Sequence, residues 1–438
     1  MKPHTKHFNR FLPTVAPDVT TPRTSNNHLP RKICIITPGT IANNPRVVKE
    51  AEALSEAGYR VHLVYTRHID YLVERDNIIL NEHPAWTADY LDWASSKFRS
   101  KTAKLFSGIK RKLVGLLVKT NLYPDKLASI LINRFYYWQL RKAIASKADL
   151  YIAHYPDSLG VAFQAAKVNN ALFAYDAEDY HRGEDLPQEI LKIIQKSEDF
   201  LLPSSNYISA SSPLIAKEYL RLYTKVPVVT IENMFPVKNQ PVFQKSVHTT
   251  FKFFWFSQKI GSNRGLEEFI SILGNIHNKD VQLSLLGNVS DEYREKLINL
   301  WDKVNLKAGR LIFFDTVTEK EIFMIASDHH FGLALETQHS YNRDICLTNK
   351  LYTYILSGNF LILNDTKAQR KFNNTYPQSG ICIELKNTQQ SVEKINALLI
   401  KPEEVYQKRL SNYNLGQSKL NFDLKKLILI QQVSSLWP

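Results

Sequence analysis

Lys32-Ile-Cys-Ile-Ile-Thr37, the turn Pro38-Gly-Thr-Ile-Ala-Asn-Asn-Pro45, the stretch 46–57 and Arg60-Val-His-Leu-Val-Tyr65 together decide the fold. The first run is short, aliphatic and rich in β-branched residues, and it stops at Pro38-Gly39, as a buried parallel strand does. In 46–57, Val47, Val48, Ala51 and Leu54 recur at helical spacing. Pro45 suits the first helical turn and Gly58 suits the end. Another strand-like run follows at 60–65. Strand, helix and strand within so few residues make a βαβ unit.

Working outward, the unit recurs. Residues 149–154, 172–176, 200–203 and 228–231 read as strands, and 158–168 as a helix. Between the second strand and residue 149 lie two helical stretches, 98–118 and 127–146, broken at Asn121-Leu-Tyr-Pro124. A second alternation puts strands at 252–256, 281–286, 311–314, 331–335, 360–363 and 381–384. Its helices fall at 265–273, 292–304 and 319–326. Two such series predict an α/β chain with two doubly wound parallel sheets, whose ligand lies in the cleft between their strand ends. The expected organisation is an arm over 1–30, a first domain over 31–235, a linker over 236–250 and a second domain over 251–415. A terminal helix over 416–438 is expected to pack back on the first domain.

The 438 residues carry a net charge of +14. Thirteen Lys or Arg residues lie in 97–147 against one acid, Asp125. Three readings fit this stretch: a basic surface for an anionic membrane, a solvated helical face, or a nucleic-acid contact. No nucleic-acid motif accompanies the charge, so nucleic acid is not an expected partner. Cys34, Cys346 and Cys382 lie far apart, without zinc spacing, which suits a reducing, cytoplasmic compartment. No apolar run is long enough to span a membrane, and the first 30 residues lack the apolar run of a signal peptide.

Five places carry candidate chemistry. Gly39 sits in the turn before the 46–57 helix, where backbone can approach an anion closely. Phe256-Ser-Gln-Lys-Ile-Gly-Ser-Asn-Arg-Gly-Leu-Glu267 places Lys259 and Arg264 beside Gly261 and Gly265 at a helix start, which fits a diphosphate site that needs no metal or two solvated basic residues on a loop. Glu336 ends a strand, and Asn349 is expected to cap the helix that follows. Lys350 lies in that helix's first turn, against the preference of the helix dipole. Asp176, Glu178, Asp179, Glu184 and Asp185 cluster at another strand end, where they fit sugar or acceptor hydroxyls, a metal, or a solvated loop. His154 ends the 149–154 strand, where a histidine is more often structural than catalytic.

Taken together these segments resemble family 4 retaining glycosyltransferases. The resemblance rests on Asn44-Pro-Arg-Val-Val-Lys-Glu-Ala-Glu-Ala-Leu-Ser-Glu-Ala-Gly-Tyr, on Tyr175-Asp-Ala-Glu-Asp, on the 255–267 loop and on Thr348-Asn-Lys-Leu-Tyr-Thr-Tyr-Ile-Leu-Ser-Gly. It implies a GT-B fold, a nucleotide-diphosphate sugar as donor and co-substrate, no obligatory metal and retention of configuration. Lys259, Arg264 and Gly39 would hold the diphosphate. Gly261, Asn349, Lys350 and Thr353 would hold nucleotide and sugar, with Thr353 where relatives carry a glutamate. His154 and Glu336 would act at the donor sugar, and Asp176, Glu178 and Asp179 on the acceptor side. The expected role is surface polysaccharide or glycoconjugate synthesis on a glycan or lipid-linked acceptor, at the inner face of the membrane. A nucleotide-sugar 2-epimerase and an inactive scaffold of the same fold are the alternatives.

Overall fold

The computed structural model describes residues 30–93, 98–120, 123–245, 250–306 and 308–437. Apart from Pro30, the arm expected over 1–30 lies outside the described residues. The first series runs β1 (Lys32–Ile36), α1 (Pro45–Glu56), β2 (Arg60–Arg67), α2 (Val73–Glu82), β3 (Thr87–Asp92), α3 (Phe98–Thr120), α4 (Asp125–Ile132) and α5 (Tyr136–Ser146). It continues with β4 (Leu150–His154), α6 (Pro156–Asn169), β5 (Leu172–Ala177), α7 (Gln188–Leu201), β6 (Tyr207–Ala210), α8 (Pro213–Leu222) and β7 (Val228–Thr230). The second series runs β8 (Phe251–Lys259), α9 (Leu266–Asn275), β9 (Val281–Asn288), α10 (Asp291–Lys303), β10 (Arg310–Phe314), α11 (Glu319–Ser327), β11 (Phe331–Ala334), α12 (Tyr341–Ile345) and α13 (Asn349–Ser357). It ends with β12 (Phe360–Asn364), α14 (Lys367–Thr375), β13 (Gly380–Ile383), α15 (Thr388–Leu399), α16 (Pro402–Ser418) and α17 (Phe422–Ser434).

Seven strands form the first sheet in the order β3-β2-β1-β4-β5-β6-β7, and six form the second in the order β10-β9-β8-β11-β12-β13. Each ladder is parallel; β1, for instance, pairs Ile33 with Val61 on one side and with Leu150 on the other. Each chain segment begins in an interior strand, steps outward, then returns to the other side of its starting strand. The order therefore reverses between β1 and β4 and between β8 and β11. Loops part at such a reversal and leave a crevice at the carboxyl ends of the strands.

Three sequence expectations need correction. The apolar run at 200–203 is not a strand: it closes α7 and a short 3-10 turn, and the sheet position goes to β6. The expected helix at 127–146 is two helices, because Asn133 takes over the chain between them. Its Nδ2 donates to Gln139 Oε1 at 2.8 Å and to the Asp157 carbonyl at 2.7 Å, and its Oδ1 accepts from Phe135 N. β3 was not expected; its Thr-Ala-Asp-Tyr-Leu-Asp sequence is that of a half-exposed edge strand.

α17 lies against α1. Phe422, Leu429 and Val433 share a core with Val47, Ala51 and Leu54, and Lys426 pairs with Glu56 at 2.7 Å. At the opening of α9, Gly265 has φ +74, and a Cβ there would stand 2.6 Å from Leu385 Cδ1. Only glycine lets this helix start so close to the end of β11. All three cysteines are free thiols, and among the described residues no helix is long and apolar enough to cross a membrane.

Candidate functional site

The loop after β1 is pinned from two sides. Asn44 caps α1 by accepting from Val47 N at 3.2 Å, and its Nδ2 donates to Glu178 Oε1 at 2.6 Å. Ala42 N donates to the buried carboxylate of Asp76 on α2 at 2.8 Å. Facing it, β8 ends with a register irregularity between Phe256 and Lys259. Gln258 reaches across and donates from Nε2 to Asn43 Oδ1, joining the two halves. Around this bridge lies a cavity of about 410 Å³, lined among others by Arg75, Ser257, Asn288, Asn349, Lys350 and Thr353.

One wall of the cavity is the start of α13. Thr348 occupies the cap position, correcting the expectation for Asn349, but its side chain does not cap the helix. It donates instead to Glu336 Oε1 at 3.2 Å. Helix dipole and uncapped N–H groups thus favour an anion at Asn349 and Lys350. Lys350 Nζ donates to Glu336 Oε1 at 2.9 Å and lies 5.6 Å from the centre of the Trp255 ring. Arg343 approaches the other oxygen at 3.7 Å. Burial alone would raise the Glu336 carboxyl, but Lys350 foremost, then Arg343 and also Arg264, hold it down to about 2. Its folded-state value is depressed from 4.5, so this stabilisation is present above about pH 4.5 and lost as pH falls through about 2. Glu336→Gln is expected to flatten that acid limb in denaturation midpoints taken from pH 5 to pH 2; an unchanged slope would refute the assignment.

Other expected residues lie further off. Lys259 is exposed and Arg264 half-buried, and neither lines the cavity. Of the two residues the sequence offers for the position facing the gap, Lys259 and Gln258, the β8 irregularity gives it to Gln258. Gly39 sits against His68, where a Cβ would come within 3.1 Å of the ring; Gly261 has open space beside it. Thr353 is buried and spends its hydroxyl on the Asn349 carbonyl at 3.1 Å.

The acidic strand end divides in two. Asp179 and Glu184 both accept from Asn342 Nδ2, at 2.9 and 2.7 Å, so this loop docks on α12 of the second half. Asp176 and Glu178 enter a buried network. Arg46 donates from Nε to Asp176 Oδ2 at 2.5 Å, from Nη2 to Asp176 Oδ1 at 2.7 Å, and from Nη1 to the Ile231 carbonyl at 2.6 Å. Ser209 also donates to Asp176. His154, with no exposed surface, spans Glu178 from Nδ1 at 2.7 Å and Glu50 from Nε2 at 2.5 Å. Burial would lower this imidazole, but Asp176, then Glu50 and Glu178, outweigh it and raise it to about 10. With both ring nitrogens engaged and no surface, His154 has nothing to offer a sugar in this geometry. His154, Asp176 and Glu178 present ligand atoms within 4.8 Å of one another, a spacing that suits a metal. Here Arg46 supplies the positive charge.

Sequence reasoning missed Arg46, Lys49 and Glu50. Lys49 donates to Asn233 Oδ1 at 2.9 Å and to the Met234 carbonyl at 2.5 Å, in the segment leaving the first sheet. The available signal was a run of charge on the same helix face as Val47 and Ala51, a local rule broken. Asn342 and Arg343 were also missed.

No family model matches this sequence, and no match was found among curated proteins. Solved structures do match. Sucrose-phosphate synthase from Thermosynechococcus elongatus superposes with a TM-score of 0.68 at 14% identity, covering 93% of this chain and 99% of that one. HepE from Anabaena, in complex with UDP and glucose, gives 0.61 at 12% identity, with 92% and 100% covered. A protein described as a putative UDP-N-acetylglucosamine 2-epimerase, from Listeria monocytogenes, gives 0.54 at 11% identity, with 87% and 90% covered. The chain has the GT-B fold. In GT-B terms the 410 Å³ cavity is the interdomain cleft, and α13 belongs to its second-domain wall.

Proposed function

We propose that the protein is a retaining glycosyltransferase of the family 4 type, using a nucleoside-diphosphate sugar. The observation that carries this is Lys350 at the uncapped start of α13, opening on a cleft between the carboxyl ends of two parallel sheets. A diphosphate there meets backbone N–H groups, Lys350 and, one layer out, Arg264. As the bond from the anomeric carbon to the diphosphate oxygen breaks, these groups stabilise the negative charge on the leaving nucleotide. The acceptor oxygen bonds to that carbon, and its proton goes to the released diphosphate. No metal is required by this scheme.

Asn349 and Thr353 serve nucleotide and sugar from the cavity wall, while Gly39, Lys259 and Gly261 stand outside its lining and are given no contact with the donor. Glu336 keeps Lys350 in place. Asp179 stands on the acceptor side, and His154, Asp176 and Glu178 are positioning residues that hold the β1 loop through Asn44. The acceptor reading is a glycan or lipid-linked saccharide for a surface polysaccharide, met at an anionic membrane. Exposed Lys101, Lys104 and Lys112 on α3 support the membrane part.

HepE was solved with UDP and glucose, so uridine donors come first in the test. Calorimetry with a panel of uridine and guanosine diphosphate sugars is expected to show binding of at least one. Binding of none would leave the scaffold reading, which the Thr353 position favours. The epimerase likeness supports a second reading: incubating the bound donor without acceptor would then yield its 2-epimer.

A further inference from the structure

A second cavity, of about 510 Å³, lies in the first half behind α3, away from the donor cleft. Its length is aliphatic, built from Val114 on α3, Leu131 and Ile132 on α4, and Ile190, Ile193 and Ile194 on α7. Its polar end is Tyr155 and His181, whose rings lie 5.3 Å apart. The Tyr155 hydroxyl faces the charge of Glu178, whose carboxylate accepts from Asn44 of the β1 loop, so this end lies toward the transfer site. Tyr155 is held at φ +64, a strained conformation for a side chain of this size. His181 Nε2 is buried without a hydrogen-bond partner among the described residues.

The outer side of the same helix is unusual. Leu105, Ile109, Leu113 and Leu116 are 63%, 50%, 63% and 65% exposed. They follow one another at intervals of four, four and three residues, so they form one stripe. Lys101, Lys104 and Lys112 are exposed on the same helix. Lys110, counted with the surface charges in the sequence, turns inward instead. It donates to the carbonyls of Ile130 and Asn133, at 3.2 and 2.7 Å, and lines the cavity together with Arg134. An apolar stripe flanked by lysines is the pattern of a helix lying in an anionic bilayer surface. A hydrocarbon chain leaving that surface past α3 would enter the cavity behind it.

Resting on the transferase reading above, we infer that the acceptor is an amphiphile with an anionic head, and that its hydrocarbon chain occupies the cavity between α3, α4 and α7. The aliphatic walls take the chain, Lys110 and Arg134 favour the anionic head, and the Tyr155–His181 end presents the acceptor group toward the cleft.

The test uses the full chain and alkyl phosphates below their micelle concentrations. Dodecyl phosphate is expected to bind far more tightly than butyl phosphate, by about fourfold per added methylene until the cavity is full. Inorganic phosphate is expected not to compete. Val114→Trp and Ile190→Trp, which fill the cavity from its rim, should each weaken dodecyl phosphate by about tenfold or more and leave UDP binding unchanged. Equal affinity for the two chain lengths, or dodecyl phosphate binding that survives both variants, would overturn the inference. So would competition by inorganic phosphate, which would reduce the site to an anion pocket. Leu113→Ser with Leu116→Ser should lower partition onto phosphatidylglycerol vesicles; undiminished partition would remove α3 as the route of entry and overturn that part. If dodecyl phosphate binds as described and no nucleotide sugar does, the cavity assignment stands and the transferase reading falls.

Discussion

Arg46→Met is expected to destabilise the protein by about 3–5 kcal/mol, the usual consequence of removing one partner from a buried ion pair. The guanidinium makes two bonds to Asp176 and one to the Ile231 carbonyl, and all of these groups are buried or nearly so. Without it, the carboxylates of Asp176, Glu50 and Glu178 face one another with the His154 imidazolium between them. Water cannot screen that repulsion at such burial. Adding Asp176→Asn to the first substitution removes one of the stranded charges and should recover a measurable part of the loss. Urea denaturation of the three proteins decides it. A loss under about 1 kcal/mol for Arg46→Met would mean the network carries little of the stability of the first sheet.

Lys350→Met is expected to lower the rate of nucleotide release from a donor that binds by about 10²- to 10³-fold, the range for deleting one group aimed at developing charge. It also strips Glu336 of its nearest cation, at 2.9 Å, so a structural effect must be separated from a chemical one. Lys350→Arg serves for that: it keeps the charge beside Glu336 but moves the donor atoms, and it should restore stability more fully than rate. A variant that releases nucleotide within about threefold of the parent would put the diphosphate elsewhere and undo the proposed function.

Much of the fold was legible because its signals are local. Aliphatic runs such as 33–36 and 360–363 are buried on both faces, so they read as parallel strands without knowledge of their neighbours. Where an element depends on its context, reading failed. β3 is a half-exposed edge, and Phe200 and Leu201 belong to an amphipathic helix end rather than a strand. At the site, Lys350 and Glu336 could be singled out, because a cation in a first helical turn and a carboxylate at a strand end are locally odd. Arg46 could not. Its partner Asp176 is 130 residues away, and charge on a helix ordinarily means solvent. Gln258 differs from Lys259 only by one position along β8, and the irregularity that decides which of them meets the cleft arises from tertiary pairing with β9.

The contact of α17 with α1 has a consequence for synthesis of the chain. α1 leaves the ribosome well before Phe422, Leu429 and Val433, which lie against one face of it. At about 5–20 residues per second, that face waits about 20–70 seconds for its cover. During this interval a nascent chain leaves the Lys49 face of α1 without Phe422 and Leu429, which makes this helix face a natural landing place for a chaperone. Messages broken between residues 384 and 421 should yield products that precipitate even though the strands of both sheets are all present.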